Sequence, residues 1–213
     1  MKFIRFTMIL AALLFSAQVG ASPLKYSYKA TLESDENWQN LIRVYPGGTV
    51  VEGAFQVDED IAGFNFFDQT RYSGAFSGFA RIGQNTVHFT DSLVFTYNFY
   101  GTTMVTMLAG DAWNPPGLLS ETQPPAGRKV EGFQLRFTFE GIKPVNTPIR
   151  TLFSNGTLLN SSFHVGYGIE NSVTYANWGD INEMSEVPEP PMVFLIGLGL
   201  IGLQACRSRK RRA

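Results

Sequence analysis

The sequence has few charged residues and very little cysteine or histidine. Charged residues make up 16% of its 213 positions, against roughly 25% in an average soluble protein. Aromatic residues reach 14%, and glycine occurs 21 times. Few charges combined with many aromatic side chains argue against intrinsic disorder and against a charged coiled coil. The composition instead favours one β-rich domain with a large apolar core.

The scarcity of cysteine and histidine limits the chemistry open to this chain. The only cysteine, Cys206, lies near the C-terminus, so the central region can form no internal disulfide and holds no thiol nucleophile. His88 and His164 each fall between apolar residues of a predicted strand, where a place on the strand surface is the ordinary interpretation. Two histidines could complete a zinc site only with carboxylates. We therefore predict no catalytic residue, no cofactor, no metal site and a protein that is not an enzyme.

Two alternatives stay open because carboxylates are plentiful. The run Asp58-Glu59-Asp60, together with Asp68, offers the oxygen ligands that calcium prefers, although the spacing of a calcium-binding loop is missing. A carboxylate pair for glycoside hydrolysis leaves no signature in sequence, so a secreted hydrolase is a further alternative. The sequence contains neither the glycine pattern of a phosphate-binding loop nor a nucleophile elbow.

Alternating apolar and polar residues predict strands throughout the central region. Residues 133–140 are the clearest case, because three phenylalanines and a leucine alternate there with polar residues. We predict an all-β domain over residues 22–182, an antiparallel β-sandwich of about seven to nine strands. Residues 111–129, with two Pro-Pro pairs, are predicted to form a surface loop. The predicted strands cover residues 24–32, 49–57, 72–82, 87–98, 102–108, 133–140, 162–169 and 172–181.

The first 21 residues have the features of a secretory signal peptide. Lys2 and Arg5 precede an apolar run of about ten residues, which is too short to span a bilayer. Small residues follow this run, and they predict cleavage between Ala21 and Ser22. The domain that comes after the signal is therefore expected to be exported.

The C-terminal 31 residues contain three successive elements. Residues 183–191 form a predicted extended linker that includes Val187, Pro188, Glu189 and Pro190. Residues 192–206 carry no charge and predict a short transmembrane helix of about 22 Å. Residues 207–213 form a basic tail, which the positive-inside rule places in the cytoplasm. The basic residues of this tail are Arg207, Arg209, Lys210, Arg211 and Arg212.

This order of a Val-Pro-Glu-Pro motif, a short Gly/Leu-rich run and a basic cluster resembles the PEP-CTERM sorting signal. The resemblance covers residues 187–212, and it assigns the family's motif to Pro188, Glu189 and Pro190. It implies recognition by an exosortase, a membrane-embedded enzyme related to cysteine transpeptidases in Gram-negative bacteria. It also implies a producer of exopolysaccharide, and a protein that is first anchored in the inner membrane and then reaches the cell surface or the extracellular matrix.

The exported part is acidic although the whole chain has a net charge of −1. Residues 22–186 contain ten Lys or Arg and seventeen Asp or Glu, a net charge of −7. The basic residues are concentrated in the two terminal signals. An acidic domain repels phosphate backbones, so nucleic acid is excluded as a partner.

These observations predict an exported envelope or matrix protein with a structural or adhesive role. The expected partners are an exosortase and an exopolysaccharide. The alternative is a carbohydrate-binding module, because Trp113 and Trp178 stand in or beside predicted loops and could form a platform for a glycan. Against this stands the simpler interpretation that both rings cover the ends of the domain.

Overall fold

The computed structural model describes residues 23–33, 44–58, 61–110, 118–123, 128–144, 146–169 and 172–188. Within these ranges it contains ten strands and one short helix, and all eight predicted strands are confirmed. β3 and β7 were not predicted, and β7 lies inside the predicted loop of residues 111–129. The strands are β1 (Leu24–Leu32), β2 (Val50–Val57), β3 (Phe64–Phe66), β4 (Gln69–Ile82), β5 (Asn85–Phe99), β6 (Thr102–Ala109), β7 (Leu118–Thr122), β8 (Lys129–Glu140), β9 (Leu158–Ile169) and β10 (Ser172–Glu186).

The strands close into a ring, so the prediction of a β-sandwich is wrong. Neighbouring strands follow the order β4, β2, β1, β10, β9, β8, β6 and β5, and β5 pairs again with β4. The result is a closed antiparallel barrel of eight strands, to which β3 adds at β4 and β7 adds at β5. The alternation in β1 and β8 is the same in either architecture, because one face of each strand is buried in both. Only the strand pairing separates the two.

The longest hairpin, β4–β5, supplies the curvature that a closed ring needs. Its ladder is interrupted between Tyr72 and Gly78, where Gly74 and, on the other strand, Asp91 have positive φ angles of 78° and 50°. Such bulges bend a strand and increase its twist. The irregular positions therefore allow β4 and β5 to bend with the curved wall of the barrel instead of continuing as a flat sheet.

Phenylalanine rings fill the interior of the barrel. Phe89 stacks on Phe76 and on Phe133, with ring centroids 4.6 Å apart in both pairs. Phe163 continues the column at 6.4 Å from Phe133. All four side chains are fully buried, and they come from four different strands. The column therefore joins opposite walls of the barrel through contacts that each add about 0.5–1.5 kcal/mol beyond the burial of area.

A short helix, α1 (Ile149–Asn155), covers one end of the barrel. Its ring Phe153 lies 5.1 Å from Tyr26, 4.9 Å from Phe137 and 5.3 Å from Phe139, measured between ring centroids. Ile149 and Leu152 of the same helix are buried. The spacing i, i+3, i+4 of these three apolar residues puts them on one face, which is the face that the barrel receives.

A polar network covers the other end. Asn177 on β10 accepts hydrogen bonds at Oδ1 from the backbone N–H groups of Val44 and Tyr45, both at 3.1 Å, and donates from Nδ2 to Tyr45 O at 3.0 Å. Tyr45 packs edge-on against Tyr167, and Asn85 Nδ2 donates to the Tyr167 hydroxyl at 3.3 Å. Burial raises the pKa of Tyr167 above its usual range, so its hydroxyl stays neutral.

Three of the predicted terminal segments lie outside the described residues. These are the predicted signal peptide (1–21), the predicted transmembrane helix (192–206) and the basic tail (207–213). Where the structure does describe the chain, no helix is long and apolar enough to cross a membrane. β10 continues to Glu186, so residues 183–186, expected in the linker, belong to the barrel wall.

Gly78 tests how closely the barrel wall is packed. A Cβ atom at this position would overlap the carbonyl oxygen of Ala54 and would lie 2.9 Å from the ring of Phe89. We expect Gly78→Ala to lower the free energy of unfolding by about 2–3 kcal/mol, measured by denaturant titration. Gly101→Asn is the control, because nothing lies within 4 Å of its Cβ position and asparagine tolerates the positive φ there. A Gly78→Ala variant as stable as that control would contradict this packing.

Candidate functional site

The sorting motif begins directly at the barrel wall. Val187 follows the last residue of β10, and its backbone N–H donates to Lys25 O at 2.9 Å. The Val187 side chain is 41% exposed, and Pro188 is exposed. Glu189 and Pro190 lie outside the described residues. The first half of the motif is therefore at the surface, one residue beyond the last strand.

The other predicted signals also fall outside the described part of the chain. They are the cleavage site Ala21–Ser22 and the basic residues Arg207, Arg209, Lys210, Arg211 and Arg212. The same is true of Trp113, one of the two residues of the predicted glycan platform. Trp178, the other, is described.

The wall beside the sorting motif is polar and forms a shallow groove of about 420 Å³. In it, the hydroxyl groups of Ser27 on β1 and Ser185 on β10 are hydrogen-bonded at 2.8 Å. Lys29 forms an ion pair with Glu52 on β2, with 3.4 Å between Nζ and Oε1. Both side chains of this pair are about half exposed, so water screens the interaction and its contribution to stability is small.

A second polar cluster lies on the outer face of β8, β9 and β10. Trp178, His164 and Gln134 occupy directly opposed positions on these three strands. Trp178 and His164 are half-buried, and the indole Nε1–H of Trp178 donates to Glu33 Oε2 at 2.7 Å. The strand register thus brings together a tryptophan and a histidine that are 14 positions apart in sequence.

Arg136 completes this cluster and affects its charge. When the Gln134 amide is oriented to suit its neighbours, its Oε1 accepts hydrogen bonds from Arg136 Nη2 at 2.9 Å and Nε at 3.2 Å. Burial, together with the positive charge of Arg136, lowers the pKa of His164 to about 4. The imidazole is therefore neutral at pH 7. A flat indole beside a neutral imidazole and a guanidinium can stack on a sugar ring and bond its hydroxyl groups.

The remaining candidates for chemistry do not converge. His88 is exposed on β5, and its ring lies 6.2 Å from that of Phe79. Asp58 and Asp68 are described, whereas Glu59 and Asp60 are not. Among the described residues, no group of three or more histidine, cysteine or acidic side chains could hold a metal ion. The calcium and hydrolase alternatives thus gain no support from these side chains.

Two hairpin tips carry exposed aromatic rings that sequence reasoning did not single out. Phe67, in the β3–β4 turn, is 89% exposed, and Tyr100, in the β5–β6 turn, is 90% exposed. Both have positive φ angles, 52° and 45°, which are uncommon for bulky residues. Each aromatic is followed by a common turn residue, Asp68 or Gly101, and this was the available sequence signal.

Comparison with known proteins identifies one segment of the chain. The family model described as "PEP-CTERM protein-sorting motif" matches residues 186–211. No curated protein and no solved structure matches the chain significantly. The match covers the same stretch as the expected sorting signal and confirms it, while residues 22–185 are left without an assigned relative.

The depressed pKa of His164 predicts a pH-dependent stability. The folded value is about 4, and the unfolded value is close to 6.5. Between these values the unfolded chain binds more protons, so the free energy of unfolding should rise with pH by up to about 1.4 kcal/mol per pH unit. Above pH 6.5 this contribution is fully present, and it is lost as the pH falls towards 4.

The measurement is a series of denaturant titrations from pH 4 to 8 on wild type and His164→Gln. The difference between the two should increase with pH up to about 6.5 and then stay constant. His88→Gln, at the exposed histidine, serves as the control and should follow wild type. Parallel curves for wild type and His164→Gln would show that the imidazole is not held neutral by the fold.

Proposed function

We propose that this PEP-CTERM protein serves a structural or adhesive role outside the cell, in an exopolysaccharide matrix, and is not an enzyme. Its sorting motif at residues 186–211 marks it as an exosortase-sorted surface or extracellular protein. The role of the barrel once it is sorted is the proposed part. The acidic charge of the exported domain, −7 over residues 22–186, is consistent with solubility in such a setting.

The observation that carries this proposal is the placement of the motif. Val187 and Pro188 leave the barrel at the end of β10 and are exposed. Each of the eight strands of the ring pairs with a neighbour on both sides over part of its length, so the ring exposes little strand edge. A ring of this kind resists edge-to-edge aggregation, which suits a protein that persists at high local concentration in a matrix.

Carbohydrate binding is the second candidate function, and the cluster on β8, β9 and β10 favours it. Trp178 is half-buried on the outer wall and lies directly opposite His164, whose pKa is lowered in part by the charge of Arg136. The donation of its N–H to Glu33 fixes the orientation of the ring. Tryptophan faces of fixed orientation, flanked by hydrogen-bonding groups, are suited to sugar rings, and their low conformational entropy favours binding.

The sorting proposal is tested by changing Pro188, Glu189 and Pro190 together to alanine in the producing host. Because the motif is the element that an exosortase reads, we expect the full-length precursor to accumulate and at least about 90% of the processed, released form to disappear. Immunoblots of cell and medium fractions measure both forms. Pro144→Ala, at an exposed proline in the loop after β8, is the control and should be processed normally. Unchanged release of the triple variant would contradict the proposal.

The carbohydrate candidate is tested by a glycan and exopolysaccharide binding screen with the secreted protein. If the outer cluster binds sugar, Trp178→Ala should weaken binding at least about tenfold, whereas Trp178→Phe should retain part of it through stacking. Trp113→Ala is screened in parallel, since Trp113 belongs to the predicted platform. Tyr100→Ala tests the exposed hairpin tip as a competing site. Absence of binding by wild type would leave the structural role as the only proposal.

A further inference from the structure

The last part of β10 is attached to the barrel on one side only. Its ladder with β9 ends at the pair Asp180 and Ser162, whereas its ladder with β1 continues to the pair Glu186 and Tyr26. β9 before Ser162 pairs with β8 alone. Ser161 Oγ on β9 still donates to Ile181 O at 3.2 Å, and from residue 182 onwards β10 has one edge in a ladder and one edge without a strand partner. We call residues 183–187 the terminal strap.

The contacts that hold the terminal strap are few and lie at the surface. The backbone N–H of Val187 donates to Lys25 O, and the hydroxyl groups of Ser185 and Ser27 are bonded to each other. Of the strap's side chains only Met184 is partly buried, while the other four are exposed. A segment with one ladder and little buried apolar area opens at a far lower free energy than the core of the barrel.

The register of the strap against β1 also places opposite charges together. Glu183 lies directly opposite Lys29, which forms the ion pair with Glu52 on its other side. Cross-strand pairs of opposite charge stabilise a ladder, and like charges in the same positions destabilise it. We therefore expect Lys29, an exposed residue outside the aromatic core, to contribute to the docking of the strap in addition to its ladder with β1.

The docked strap brings the sorting motif too close to the wall for an enzyme to enclose it. Pro188 is one residue beyond the last barrel hydrogen bond. An enzyme that cleaves an extended peptide holds several residues before the bond it breaks, and four residues extend over about 13 Å. Measured back from Pro188, that length covers residues 184–187, which is all of the strap except Glu183. The strap cannot pair with β1 and lie in an enzyme's cleft at the same time.

We propose that the terminal strap detaches from β1 and enters the exosortase together with the motif, so that recognition extends from the motif back to Glu183. This inference rests on the proposed sorting by an exosortase. The strap carries the carboxylates of Glu183 and Glu186, and Glu189 follows in the sequence of the motif. We therefore expect the surface of the exosortase that binds these carboxylates to carry positively charged groups. In the docked state the strap is paired with β1 and is not available to the enzyme. In the undocked state the enzyme can bind it.

A disulfide between Ser27→Cys and Ser185→Cys tests the need for detachment. The two positions are directly opposed, and their hydroxyl oxygens are 2.8 Å apart, which suits a cross-strand disulfide. In the full chain, expressed in the producing host, we expect the oxidised pair to be processed at least about tenfold more slowly than either variant with one of the two substitutions, and all three retain Cys206. Reduction with dithiothreitol should restore the rate.

A second locked pair separates this effect from general rigidity. Arg81→Cys with Thr86→Cys joins β4 to β5, also at opposed positions but away from the strap. This pair should be processed at the wild-type rate in both redox states. Circular dichroism and thermal melts of each purified variant establish that the barrel is folded in the forms that are compared.

Lys29→Glu tests the inference in the opposite direction, by weakening the docking of the strap. It puts a carboxylate opposite Glu183 and beside Glu52, so the strap should dock less well and processing should accelerate about two- to fivefold. Lys143→Glu makes the same change of charge at an exposed lysine in the loop after β8, away from this row of charges, and should leave the rate unchanged. Acceleration by both variants alike would assign the effect to net charge and overturn the inference.

The outcomes also distinguish this inference from the proposed function. If the triple alanine change at residues 188–190 abolishes processing while the oxidised Ser27→Cys/Ser185→Cys variant is processed at the rate of the variants with one of the two substitutions, the sorting proposal stands and the strap inference fails. If the triple alanine variant is processed like wild type, the sorting proposal fails, and with it the inference. A block by the triple change and a reversible block by the disulfide support both.

Discussion

The packing of phenylalanine rings inside a closed ring of strands is the interaction on which the rest of this structure depends. Eight strands enclose a space that must be filled, and Phe76, Phe89, Phe133 and Phe163 fill it as one continuous column. The column fixes the distance between opposite walls. The strand pairing at each wall then fixes which outward-facing residues become neighbours, and this is how Trp178 comes to lie beside His164.

The contacts that hold the barrel together are distributed unevenly, and the sorting motif begins where they are fewest. One end is covered by the apolar helix α1 and the other by the hydrogen bonds of Asn177, so the core is enclosed. The pairing of β10 with β9 stops at Asp180, and the last residues of β10 pair with β1 alone. The sorting motif begins at the end of that ladder. A rigid body with one loosely attached terminus can present the terminus without unfolding.

Much of the secondary structure could be predicted because the alternation of apolar and polar residues within a strand shows which of its faces is buried. The alternation in residues 133–140 marks the inward face of β8 without reference to any other element. β3 has only three residues, and β7 lies in a stretch rich in proline, so neither carries enough alternation to be recognised. α1 is a helix of seven residues, shorter than a periodic pattern requires, and its helical form depends on the barrel end that Phe153 covers.

The architecture and the outer cluster could not be predicted in the same way. A sandwich and a barrel bury the same face of each strand, so the choice rests on long-range pairing such as that of β1 with β10, about 150 residues apart. Sequence patterns do not show which strands pair with each other. The register that aligns Trp178, His164 and Gln134 is a consequence of that pairing, as is the inclusion of residues 183–186 in β10.

The sorting signal was determined by the sequence alone, because its information is linear. The motif over residues 186–211 is defined by the identity and order of consecutive residues, so the sequence is sufficient to recognise it. The division of charge between an acidic domain and basic termini is likewise a property of order. Only the tertiary structure decided that the strands close into a ring, and that the residues before the motif are docked on β1. Both depend on contacts between residues that are distant in the chain, which the fold alone brings together.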